Sequence, residues 1–115
     1  MKLTYFITPE GEEKVVNVKQ TGKIVLVSQA DPPYDEFTAY TNSLAYSFAG
    51  VANITCEDFV SNYVYIEKLS TGELRRAIFD VVTDGVRKYP KLVDKEVIDE
   101  NQLAVLCMLH NVLLD

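Results

Sequence analysis

The chain has 115 residues, 48% hydrophobic and 24% charged. That composition excludes a disordered tail, a collagen-like repeat and a solvated charged rod, and it predicts one domain over residues 1–115 around one core. A net charge of −6 from 17 acidic and 11 basic residues disfavours direct nucleic-acid binding and docking on anionic lipid.

The first residues, Met1-Lys2-Leu3, lead into an alternating segment and then Pro9 and three glutamates, so no apolar signal-peptide core is visible and the cytoplasm is the expected location. Cys56 and Cys107 are too few for a disulfide scaffold and are read as reduced, buried small side chains. The longest apolar run, Leu103 to Leu109, is far short of the ~20 residues a membrane span needs.

Leu3, Tyr5 and Ile7 alternate with Thr4, Phe6 and Thr8. Pro9-Glu10-Gly11 breaks the run before Val15, Val16 and Val18, and Thr21-Gly22 precedes the apolar Ile24–Val27. Short connections of this kind join antiparallel strands, so residues 2 to 28 are predicted to form a three-stranded meander. Pro32-Pro33 then stops the sheet. Phe37, Tyr40, Leu44, Phe48 and Val51 recur at spacings of three and four, which predicts a helix ending near Gly50. Thr55 with Asp58 resembles a capping box for a short second helix, followed by a strand over Tyr63–Lys68.

Ser70 with Glu73 reads as another capping box. Leu74, Ile78, Val81, Val82, Val86 and Tyr89 then predict a helix that stops before Pro90, with Arg75, Arg76, Arg87 and Lys88 on its outer face. Asp99 with Gln102 predicts a last helix through Leu103–Leu114. Being apolar on nearly every side, it is expected to be surrounded in the core or at an oligomer interface. The predicted fold class is therefore α+β: an N-terminal antiparallel β-meander packed against three to four α-helices.

Chemistry-bearing motifs are scarce. His110 is the only histidine, and with Cys107 and Cys56 it makes an incomplete zinc set and a weak nucleophile–base pair. Asp94, Glu96, Asp99 and Glu100 read as a solvated connection favouring the next helix N-terminus, with metal binding left open. The five glycines are isolated, so no phosphate-cradling loop exists, and no G-x-S-x-G elbow is present. No enzyme, cofactor or metal is predicted.

The least ordinary feature is the distribution of charge. From residue 24 to residue 67 there is no lysine or arginine, while Asp31, Asp35, Glu36, Glu57, Asp58 and Glu67 lie there with five of the seven tyrosines. If these gather on one face, acids steer and phenols supply rigid contact area. The expectation is a small acidic inhibitor of the immunity-protein or phage-encoded type. It would occlude a basic or nucleic-acid-binding protein through Tyr34, Asp35, Glu36, Tyr40, Glu57 and Asp58. The alternative is a structural protein that self-associates, as a homodimer for instance, through its apolar last helix.

Overall fold

A computed structural model describes residues 2–6, 13–29, 38–69 and 71–111. Its elements in chain order are β1 (Lys2–Phe6), β2 (Glu13–Thr21), β3 (Ile24–Gln29), α1 (Thr38–Ala52), α2 (Cys56–Asn62), β4 (Val64–Lys68), β5 (Leu74–Asp84), β6 (Arg87–Ile98) and α3 (Glu100–Leu109). The six strands form one sheet in the order β1-β2-β3-β4-β5-β6. All neighbours pair antiparallel except β3 and β4, which are parallel. The fold is α+β with a mixed sheet, and the expected N-terminal meander is its first half.

The parallel pair needs a crossover, and α1 and α2 supply it. They cover one face of the sheet, where Leu44, Ala45, Phe48 and Ala49 of α1 and Phe59 of α2 pack on Val16, Val18, Val25, Val27, Tyr65, Ala77 and Phe79. Phe48, Phe59, Tyr63, Tyr65 and Phe79 form a continuous aromatic cluster with ring centroids 5.3 to 6.3 Å apart. On the opposite face, α3 lays Leu103, Leu106 and Cys107 over Ile24, Leu26, Val64, Ile66, Leu74 and Ile98. The molecule thus has three layers, with the middle strands buried on both sides as parallel pairing requires.

The helix ends follow local chemistry. At the end of α1, Asn53 adopts φ 59°. The amides of Asn53 and Ile54 donate back to the carbonyls of Gly50 and Ala49, a left-handed cap in which asparagine takes glycine's usual place. Gly50 lies inside α1, before this cap. Thr55 caps α2, its Oγ1 accepting from the Asp58 amide at 3.0 Å. Asp99 and Gln102 form the reciprocal box that opens α3, as their spacing predicts. The predicted stretch after Asn111 lies outside the described residues, as do the Pro9-Glu10-Gly11 turn and the Pro32-Pro33 break.

Three expectations are corrected. Leu74 to Tyr89 is not a helix: β5 and β6 are a hairpin in which Asp84 faces Arg87 across Gly85-Val86. Its apolar residues alternate sides, with Ala77 and Phe79 toward α1 and α2 and Leu74 toward α3. A strand buried on both faces hides the period-two pattern, and the remaining spacings imitate a helix. Gly85, at φ 62°, supplies the positive first position of the two-residue turn. Gly22 does the same between Thr21 and Ile24, at φ 58°. Asp94 and Glu96, expected in a connection, belong to β6. Finally, α3 is not enclosed in the core of the chain, one of the two settings expected for it: Val105, Met108 and Leu109 are 53%, 75% and 72% exposed. Only one side of that helix meets the sheet, and its apolar outer side faces solvent.

A buried charge ties the layers together. Glu67 of β4 is 0% exposed. It accepts from Thr41 Oγ1 of α1 at 3.0 Å and from Lys95 Nζ of β6 at 3.2 Å. Breaking a buried pair from one side costs about 3–5 kcal/mol, because the remaining charge keeps its desolvation penalty. Lys95→Met should therefore lower unfolding stability by about that amount in urea denaturation. Adding Glu67→Gln to it should recover part of the loss.

Candidate functional site

The residues expected to grip a partner separate into three groups. Tyr34, Asp35 and Glu36 lie outside the described residues. Tyr40 belongs to α1, and its side chain is not among those described. Glu57 and Asp58 occupy the first turn of α2, where acidic side chains favour the helix dipole. Among the described side chains of this set, these last two lie side by side, and both meet lysines from the flanking parts of the chain.

Lys88 of β6 donates to Glu57 Oε1 at 2.7 Å, and Lys23, in the β2–β3 turn, lies 4.0 Å from Asp58 Oδ2. The bond from Lys88 holds the Glu57 carboxyl below the usual carboxylate range, helped by a backbone hydrogen bond. The same bond lifts Lys88 above the ordinary lysine value. Glu57 therefore stabilises the fold above its unfolded-state pKa and loses that contribution as pH falls through its folded value. Lys88 contributes below its unfolded-state pKa and loses it at high pH. With Glu67 on Lys95, each of the three acids of the lysine-free window that lie among the described residues is paired with a lysine that the fold delivers from outside it.

The tyrosines of that window divide likewise. Tyr65 is buried in the aromatic cluster. Tyr63 packs at the cluster's rim with Lys23 Nζ 4.4 Å from its ring centroid. Tyr46, exposed on α1, carries the Arg87 guanidinium at 4.4 Å, and Tyr89 lies 5.7 Å from the same group. Cation–π contacts of this kind fasten the β5–β6 turn to α1.

Arg75 and Arg76, expected on one helix face with Arg87 and Lys88, are neighbours on β5 and so point to opposite sides of the sheet. Arg75 Nε donates to Glu73 Oε2 at 2.8 Å. Arg76 lines a cleft of about 340 Å³ beside α3, with Glu96, Ile98, Asp99, Asn101, Gln102, Val105 and Leu106. Two of the four acids considered for a metal, Glu96 and Asp99, share that cleft, and Arg76 faces Glu96 across the β5–β6 register. Asp99 is engaged as the α3 cap. Among the described residues no group of three or more metal-ligating side chains gathers.

Cys56 and His110 do not meet. Cys56 starts α2 on the first face of the sheet, whereas α3, which His110 caps at its C-terminus, lies on the second. The Cys56 thiol donates to the Lys88 carbonyl at 3.6 Å. Burial, and then the nearby Glu57 carboxylate, push its pKa up, the reverse of an activated nucleophile. Cys107 is buried against the sheet. No helix among the described residues is long and apolar enough to cross a membrane.

The network of Thr41, Glu67 and Lys95 is the feature that residue-by-residue reading misses. Glu67 alternates with apolar neighbours, the one sequence cue that it points into a covered face. Nothing in the chain marks Lys95 as its partner. No family model matches the chain, and no curated protein and no solved structure matches it significantly.

The thiol chemistry is directly measurable. Cys56 should react with an aromatic disulfide reagent more slowly than a free thiol at neutral pH, with its pH–rate curve displaced upward. Glu57→Gln should move that curve down and speed the reaction near neutrality. Cys107 should react only on unfolding.

Proposed function

We propose that this chain is a stoichiometric interaction protein that self-associates through the outer side of α3. The single observation that carries this reading is the apolar stripe of Val105, Met108 and Leu109 at helical spacing, each more than half exposed. A water-facing stripe of this kind is a liability for a monomer and a ready contact for a partner. No charged residue occurs between Ala104 and Leu109, so a second copy meets no like charge there despite the net charge of −6. The stripe is also self-complementary. Two antiparallel α3 helices about a two-fold axis set Val105 of one copy against Leu109 of the other, with Met108 beside the axis, and they oppose their macrodipoles.

The measurement is sedimentation velocity across a dilution series. A dimer that dissociates on dilution, is insensitive to salt and becomes monomeric in Met108→Lys/Leu109→Lys is the expected result. A monomer at all concentrations would overturn it.

A second reading draws on electrostatics: occlusion of a basic or nucleic-acid-binding protein by the acidic middle of the chain, with Tyr34, Asp35, Glu36, Tyr40, Glu57 and Asp58 as the contacts. What favours it is that Glu57 and Asp58 sit side by side, solvent-accessible, on the first turn of α2. Binding there requires the partner's cations to replace Lys88 and Lys23, an exchange of one ion pair for another. The expected outcome is capture of a basic protein from a host lysate at low salt, lost at high salt. Glu57→Lys/Asp58→Lys should abolish that capture, and retention unaffected by either change would refute the reading.

A further inference from the structure

The last strand, β6, runs for 12 residues at one end of the sheet order. A long edge strand presents backbone donors and acceptors that a second chain can use, and sheets that persist as discrete molecules obstruct such edges. Val93 and Val97 are 50% and 63% exposed along this strand. Antiparallel pairing of two copies around Lys95 would set Val93 of one across from Val97 of the other, a favourable apolar cross-strand contact.

Three features obstruct pairing along this edge. Pro90 has no N–H to offer, which is the usual tolerance of an edge position. The ladder to β5 shifts register between Ile78 and Phe79, so that Asp94 and Leu92 have partners and Val93 falls between them. This irregularity bends the strand locally. Third, the Leu92 N–H at the same irregularity donates to Asn42 Oδ1 of α1 at 2.6 Å. The residue before Asn42, Thr41, is bonded to Glu67, which in turn holds Lys95. Two consecutive residues of α1 are thus tied to β6 at Leu92 and Lys95, one directly and one through a buried carboxylate.

We infer that this clasp of α1 on β6 closes the free edge of the sheet against pairing with a second copy of the chain. The Leu92 amide is spent on Asn42, Lys95 is drawn inward to Glu67, and the helix stands beside the segment an incoming strand would approach. The surface involved is distinct from the stripe of α3, so the two forms of association are separable.

The test compares Asn42→Ala with Asn42→Asp, which keeps the acceptor, both alone and with Met108→Lys/Leu109→Lys to block α3. Asn42→Ala should speed exchange of the Leu92 amide by about tenfold, the scale of one lost hydrogen bond, and should produce concentration-dependent association in both backgrounds. Asn42→Asp should keep the amide protected and add no association. Adding Val97→Lys to Asn42→Ala should reverse the association while leaving Leu92 fast-exchanging. Should the alanine variant lose its fold, Asn42→Ser, too short to reach Leu92, provides the same comparison. Faster exchange at Leu92 with no added association, or association that Val97→Lys leaves intact, would overturn the clasp. Failure of the α3 reading has a different signature: Met108→Lys/Leu109→Lys leaves the oligomeric state of the native chain unchanged.

Discussion

The architecture depends on the parallel pairing of β3 with β4. Two parallel neighbours cannot be joined by a turn, so the chain must leave the sheet and return, and it does so through α1 and α2. Once those helices occupy one face, Ile24, Val64 and Ile66 point to the other, and α3 is the element that removes them from water. Each of the two apolar layers is thereby a consequence of one pairing choice. The cost appears at the far side of α3. The helix is apolar enough to face a partner on both sides, while one sheet can satisfy only one of them.

Electrostatics is reorganised by the same topology. Along the chain the negative charge is segregated, with no lysine or arginine from residue 24 to residue 67. In the folded molecule the hairpin of β5 and β6 returns beside α1 and α2, and with it come Arg87, Lys88 and Lys95, while the β2–β3 turn brings Lys23. The two arrangements differ because sheet neighbours are distant in sequence. A run lacking cations is a property of the polymer, and an anionic face is a property of a surface. The overall charge of −6 still sets a net negative field at long range, but Glu57 and Asp58 already hold lysines.

Part of the local chemistry is legible in spacings of a few residues, although Ser70 with Glu73, read as a capping box, precedes the strand β5 and no helix. The turn at Thr21-Gly22, the cap at Thr55 and the reciprocal box of Asp99 and Gln102 all depend on neighbours two to three positions apart, and all are where their spacing places them. The stretch from Leu74 to Tyr89 imitates a helix because its burial is two-sided. Leu74 and Phe79 are both apolar for reasons that lie on different faces of the sheet, and superposing the two patterns imitates a helical period. Gly85 is the local signal of the two-residue hairpin turn Gly85-Val86, against the amphipathic reading. Val51 shares the helical spacing of Leu44 and Phe48 yet is 57% exposed, whereas Ala45 and Ala49 are buried against the sheet, where small side chains let the helix approach closely.

The sequence by itself determined the class of the molecule: an acidic chain with apolar content sufficient for a core, an N-terminal meander, the caps that open α2 and α3, and no recognisable catalytic motif. Those properties follow from composition and short-range spacing. Only the tertiary structure decided which charges find partners, that Glu67 is buried beneath α1 while Lys95 comes to meet it, that Cys56 and His110 stand on opposite sides of a sheet, and that α3 keeps one side in solvent. Each of these depends on strand order and register, which set distances between residues far apart in the chain and which no local pattern encodes.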